Sequence, residues 1–158
     1  MTDSPLTRRA WIRVLHTWFL LSRPVTLGVR GIVFDEKANA VLLVRHTYVP
    51  GFQLPGGGVE PGETADQALA RELGEEANLV IEGTPELKSF HFNRKASRRD
   101  HVALYLVTRF RQSEAFAANR EIAEAAFFAL DALPSDTTAA TRRRLAEVLD
   151  GVQPDPYW

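Results

Sequence analysis

The stretch Gly57-Gly58-Val59-Glu60-Pro61-Gly62-Glu63-Thr64-Ala65-Asp66-Gln67-Ala68-Leu69-Ala70-Arg71-Glu72-Leu73-Gly74-Glu75-Glu76-Ala77-Asn78-Leu79 decides how this chain is read. A turn rich in glycine and proline runs straight into a helix signal. Thr64 followed three residues later by Gln67 is a capping-box pattern, so a helix is predicted from about Ala65. Ala65, Leu69 and Leu73 then recur at helical spacing and form an apolar stripe. Glu72, Glu75 and Glu76 stand at i, i+3 and i+4, so their carboxylates share one side of that helix. Glu72 and Glu76 border the stripe, which predicts their partial burial.

Three neighbouring carboxylates repel one another, the more so where water is displaced. On the helix, Arg71 reaches one turn to Glu75 but cannot neutralise all three. A divalent ion can, and hard oxygen donors suit Mg2+, with Mn2+ as substitute, better than zinc. Just ahead, Phe52 to Gly62 forms a loop whose glycines allow sharp turns and present backbone amides and carbonyls at the mouth of the helix.

These residues match G-x5-E-x7-R-E-U-x-E-E-x-G-U, U being aliphatic, and from Gly57 to Leu79 the chain resembles the MutT/Nudix hydrolases. The one departure is Asn78 in place of the usual glycine. The helix is expected to end there in the left-handed conformation, which Asn tolerates best after glycine, so the chemistry is expected to survive. What the resemblance implies is a Nudix-type α/β/α sandwich with a mixed β-sheet. It also implies Mg2+-dependent cleavage of the pyrophosphate of a nucleoside diphosphate linked to X, by attack of water at phosphorus.

Residue by residue, the resemblance implies a metal shell of Glu75, Glu76 and the Gly56 carbonyl. Glu72 would complete the shell or take the proton from water. Arg71 would orient a carboxylate, while Glu63, with Gly57 at the start of the signature, would support loop and helix or join the shell. Glu121 and Glu124 are alternative bases. In some subfamilies a proline or tyrosine further on accompanies ADP-ribose or diadenosine-polyphosphate activity, and the corresponding window Arg94 to Ser97 holds neither. That weighs against those two substrates and leaves nucleoside triphosphates, oxidised ones included, nucleotide sugars and related nucleotides open. Two other functions are weighed: a nucleotide-binding regulatory module without hydrolysis, which would be expected to have lost carboxylates that are all kept here, and an RNA 5′ pyrophosphohydrolase.

Further candidates for substrate contact are Arg45 at a strand end, Tyr48 and Phe52 flanking the loop, and Arg94 in the run Arg94-Lys95-Ala96-Ser97-Arg98-Arg99. His16, His46, His91 and His101 show no metal-ligand spacing and receive no role. Arg142 to Arg144 point in different directions around a helix, the ordinary pattern of a solvated surface.

A chain of 158 residues, 45% hydrophobic and 25% charged, fits one globular domain over residues 1–158. With 19 Lys and Arg against 20 Asp and Glu the net charge is −1, which argues against a general binder of nucleic acid or anionic membrane; no stable DNA binding is expected. Cysteine is absent, removing disulfides and thiolate sites and suiting a cytoplasmic setting. Thr7 to Ile12 and the apolar run to Leu21 have the outline of a twin-arginine export signal, but Arg13 and His16 interrupt it and no small-residue cleavage site follows. Residues 1–23 are read as an amphipathic helix too short to span a bilayer, stopped by Pro24. Trp11 and Trp18 are expected to cover part of the core, with a homodimer interface through this helix as the alternative.

Strands are predicted at Val25 to Phe34 and Ala40 to His46 around an Asp35 to Asn39 turn, then at Val80 to Glu82, at Glu86 to Phe92, and as one long strand at His101 to Arg111. A short apolar piece follows at Ala126 to Leu130. A last helix runs from about Thr138 to Leu149 and is ended by Gly151.

Overall fold

Alternation along the strands builds the layers. In the computed structural model, which describes residues 5–22 and 24–158, strand β1 (Thr26–Asp35) sends Val29 and Val33 to one face and Ile32 to the other. Strand β2 (Ala40–His46) opposes Leu42 to Val41 and Leu43, and β5 (Asp100–Val107) opposes Ala103, Tyr105 and Val107 to Leu104. A sheet apolar on both faces must be covered on both. Helix α2 (Ala65–Ala77) covers the first face through Ala68, Leu69, Leu73 and Ala77. Helix α3 (Ala139–Leu149) covers the second through Leu145, with Val148 and Leu149 packed beside it. The α2 crossing is close at Gly31, where a Cβ would lie 3.1 Å from Leu69 Cδ1, so a side chain there would press on Leu69.

The five-stranded sheet has the order β4-β5-β1-β2-β7, with β4 spanning Glu86–Phe92 and β7 Ile122–Ala129. Strand β1 is parallel to β5 and the other pairings are antiparallel, so the sheet is mixed and the architecture is the expected α/β/α sandwich. A separate two-stranded ribbon joins β3 (Leu79–Ile81) to β6 (Phe110–Gln112).

One irregularity positions the site. Strands β1 and β2 pair only next to their turn, at Phe34 with Val41 and Asp35 with Ala40, and then splay apart. The loop after β2 fills the gap. Gln53 bonds to Val44 in both directions (2.8 and 2.9 Å), Gly31 N donates to Pro55 O (2.9 Å), Val29 N to Gly57 O (2.8 Å), and Val59 N to Leu27 O (2.8 Å). The backbone of the glycine loop thus becomes part of the sheet surface, and its bonds account for strand groups that the splay would otherwise leave unpaired. At Gly56, φ is +133° and a Cβ would collide with the carbonyl of Val29, so only glycine can stand there.

Helix α2 begins and ends as its sequence predicts. Thr64 Oγ1 accepts from Gln67 N (3.2 Å) while Gln67 Oε1 accepts from Thr64 N (2.8 Å), closing the capping box. Asn78 terminates the helix at φ 53° and ψ 37°, the left-handed conformation anticipated for it.

Elsewhere the structure departs from expectation. The long strand predicted over His101 to Arg111 is two, because exposed Thr108 and Arg109 break it and the second part leaves the main sheet to pair with β3. The apolar piece at Ala126 to Leu130 belongs to a full strand starting at Ile122, whose partner is β2. Arg144 is not solvated: it is fully buried between α3, β4 and the C-terminal residues, with Nη2 2.5 Å from Glu147 Oε1 and Nη1 donating to Tyr157 O (3.1 Å). The chain end folds back to make this possible, Phe92 N donating to Pro156 O (2.8 Å) and Trp158 N to Phe92 O (3.1 Å). His91 is buried against the same group, its Nδ1 2.7 Å from Asp155 O.

Of the helix predicted over residues 1–23, α1 spans Pro5–Ser22; residues 1–4 and Arg23 lie outside the described residues. Its tryptophans do not cover the core. Trp11 and Trp18 are 63% and 64% exposed, since α2 and α3 already close the two faces of the sheet.

Candidate active site

A cleft of about 390 Å³ opens where α2, the glycine loop and the ends of β1 and β2 meet, lined among others by Arg30, His46, Gly56, Gly57, Glu72, Glu75, Glu76 and Glu121. Helix α2 supplies three of these acids from one turn, as the i, i+3, i+4 spacing requires. Their environments differ sharply.

Glu76 is buried. Its Oε2 accepts from Gly56 N (2.7 Å), and Oε1 lies 3.6 Å from His46 Nε2. Burial pushes its carboxyl up to about 7; the Gly56 N–H and the Arg30 charge pull the other way, and Glu72 and Glu121 add to the rise. Glu72 is held by Arg71, whose Nη1 donates to Oε1 at 2.7 Å, and the same Nη1 is 3.4 Å from Glu75 Oε2. Glu75 points outward, its side chain 62% exposed.

Arg71 is the hub of the acidic wall. It also donates from Nη2 to Glu63 Oε1 (2.8 Å) and to Gly58 O (3.0 Å), tying the loop to the helix. Bonds to Glu63 and Glu72 raise its affinity for its proton, and the Arg71 bond, helped by the Glu60 N–H (2.7 Å), lowers the Glu63 carboxyl. The sequence assigns Glu63 a supporting place, and the geometry gives it one as a brace for Arg71.

Arg30, which sequence reading passed over, reaches into the same cleft from β1. Its guanidinium donates to Leu54 O (3.1 Å) and, at shorter range, to Gly56 O. Burial depresses its pKa while Glu76 and Glu72 raise it, which makes it the internal counter-charge to the inner carboxylates. The signal was an arginine interrupting the apolar run Leu27 to Phe34. His46, left without a role, also lines the cleft; burial and the Arg30 charge lower its pKa.

The remaining candidates separate. Tyr48 and Glu121 line the cleft, with the Tyr48 ring 5.4 Å from that of His46. Glu124 does not: it is paired with Arg45 at 2.7 Å across β2 and β7, and Arg45 lies over the Phe52 ring. Phe52 is a core residue, buried beside Phe128, because the loop that carries it is laced into the sheet. Arg94 packs over the Tyr157 ring, 4.9 Å from its centroid, and lines neither this cleft nor the hollow next to it. That hollow, about 680 Å³, shares Arg30 and Gly57 with the cleft and is walled by Leu27, Asn93, Asp100 and Trp158.

As donors, Glu72, Glu75, Glu76 and the Gly56 carbonyl are all hard oxygens, the set that fits a Mg2+-type ion. Among the described residues no three acids or histidines converge as around a bound cation, because Arg71 holds Glu72 and Glu75 while Gly56 N–H and Arg30 engage the inner edge. The donors therefore fit in kind and in neighbourhood, with two arginines standing among them.

Comparison with known proteins bears on the family and the fold. The NUDIX domain family matches residues 24–149. An ADP-ribose pyrophosphatase of Methanocaldococcus jannaschii is 34% identical over 114 residues, covering 68% of this chain and 64% of that protein. An RNA pyrophosphohydrolase of Serratia proteamaculans is 47% identical over 49 residues, covering 31% of this chain and 28% of that one. The chain thus spans less than two thirds of the length of these curated relatives. The crystal structure of a MutT NUDIX hydrolase from Burkholderia pseudomallei superposes with a TM-score of 0.67 at 26% identity, covering 79% of this chain and 98% of that one.

Proposed function

The chain belongs to the NUDIX domain family, and from that premise we propose that it is a Mg2+-dependent pyrophosphohydrolase, a single domain that cleaves a nucleoside diphosphate linked to X by attack of water at phosphorus. The observation that carries this reading is the acidic turn of α2 facing the glycine loop across one cleft, braced by Arg71. Glu75, Glu76 and the Gly56 carbonyl would hold the ion, which when bound supplies charge neutralisation on the phosphate oxygens. Arg71 keeps the acids on one wall and fixes the loop to them. Gly56 N–H holds Glu76 in place, and the carbonyl of the same residue is engaged by Arg30.

Glu72 takes the proton from the attacking water; it is poised by Arg71 at the lip of the loop. Glu121 is the alternative base, since it too lines the cleft, whereas Glu124 is committed to Arg45. The neighbouring hollow with Trp158 suits the nucleoside part of a substrate whose phosphates lie over Gly57 and Arg30. Nucleoside triphosphates and related nucleotides are the favoured class. Removal of pyrophosphate from an RNA 5′ end is the second reading, favoured by the relative of that name.

Mass-spectrometric product analysis across nucleoside triphosphates, oxidised nucleotides, nucleotide sugars and triphosphorylated RNA, with Mg2+, tests the proposal for wild type beside Glu75→Gln. Cleavage by wild type that nearly vanishes in the variant is the expected result. Binding without cleavage of any of them would make the chain a nucleotide-binding module instead.

A further inference from the structure

Nothing in the cleft accounts for α1. Trp11, Val14, Trp18 and Leu21 follow the spacing that gathers side chains on one side of a helix, and they are between 59% and 73% exposed. Among the described residues, the shallow hollow along this face is lined by Arg13, Val14, Thr17, Trp18 and Leu21, all from the helix itself. His16 falls on the opposite side of the wheel, while Arg13 stands at the edge of the hollow. In charge the helix is one-sided as well: Pro5–Ser22 contains Arg8, Arg9 and Arg13 and no acid. With +3 in this helix and −1 for the whole chain, the rest carries −4, so the near-neutral total conceals a segregated basic element.

We propose that α1 docks on a bilayer surface bearing anionic lipid, lying in the headgroup plane with its tryptophan face inserted and its arginines against the lipid phosphates. An apolar stripe and a basic side with no acid are the two features that such binding combines, each adding to an interaction that is weak alone. Tryptophan suits the position because its ring is apolar while its N–H finds partners among headgroups. No described helix is both long and apolar enough to cross a membrane, so α1 would lie on the surface. A second copy packed symmetrically on the same face would set two acid-free, +3 helices side by side, which charge opposes.

Flotation of the full chain with vesicles of phosphatidylcholine, with and without phosphatidylglycerol, tests this, read beside tryptophan emission. Binding only to the anionic vesicles, weakened by salt and accompanied by a blue shift, is expected. Trp18→Glu should weaken it roughly tenfold or more, and the milder Trp11→Ala should act in the same direction, both leaving the thermal midpoint and the turnover of soluble nucleotide unchanged. Equal binding to both kinds of vesicle, or a Trp18→Glu protein that floats like wild type, overturns the proposal. So does a wild-type dimer in light scattering that Trp18→Glu splits while no vesicle recruits either protein, for then the face joins two copies.

Discussion

Two clusters in this molecule are each built of arginine and glutamate, one on α3 and one on α2. Arg144 has one acid, Glu147, is fully buried, and is sealed by His91, Tyr157 and Trp158. Arg71 faces three acids, Glu63, Glu72 and Glu75, in an open cleft, with Glu76 behind them on Gly56 N–H. One cluster is balanced and dry; the other is wet and has more negative charge than its cations match. A balanced buried pair serves the fold, whereas an uncompensated acidic wall costs stability and is kept for something that arrives from solution.

The sharpest way to break that contrast is to exchange the readouts. Arg144→Leu leaves Glu147 buried without its partner and should cost about 3–5 kcal/mol in chemical denaturation, while kcat at saturating nucleotide per folded molecule stays the same. Glu76→Gln should do the reverse, lowering kcat by roughly 100-fold or more, about 2.7 kcal/mol, with stability in chelator at pH 8 equal to or above wild type. If Glu76→Gln unfolds the protein, or Arg144→Leu abolishes turnover of the folded fraction, the division between the clusters is wrong.

The two clusters should also respond to pH with opposite sign. The carboxyl of Glu76 is raised from 4.5 to about 7 in the folded chain, so the native state binds the extra proton and stability falls as pH rises through that window, by about 3 kcal/mol. Subtracting the Glu76→Gln profile from wild type, both in chelator, should isolate a downward slope between these values; a flat difference would refute it. His91 is lowered below 6.5, by burial first and the Arg144 charge second, so it contributes in the other direction, stability being lost as pH falls through its unfolded value. His91→Gln should therefore flatten the acid side of the stability curve.

The smallest effect is expected at Asn78→Gly. Asn78 already holds the left-handed conformation, so glycine should change stability by less than about 1 kcal/mol and kcat/KM by less than about tenfold.

What was legible in the sequence was local. The start of α2, its apolar stripe, its acidic turn and the left-handed Asn78 all depend on residues within one or two turns of each other, and each stands where the sequence places it. What escaped depends on distant partners. Arg142, Arg143 and Arg144 look alike in sequence, and only the return of the chain end against β4 decides which one is buried. Phe52 reads as an aromatic beside a binding loop, but the splay of β1 and β2 draws that loop into the sheet and the ring into the core. Arg30 was visible as a charge in an apolar strand, and its purpose emerged only once the glycine loop lay across it.

That laced loop has a kinetic consequence. Bonded on one flank to Leu27, Val29 and Gly31 and on the other to Val44, it cannot swing like a lid without breaking sheet hydrogen bonds. The floor of the cleft is therefore preset before a ligand arrives, and any motion that limits the escape of a ligand must come from side chains or from the rim. In hydrogen exchange, the amides of Val29, Gly31 and Val44 would belong to the slowest class in the molecule, exchanging only when the whole sheet opens.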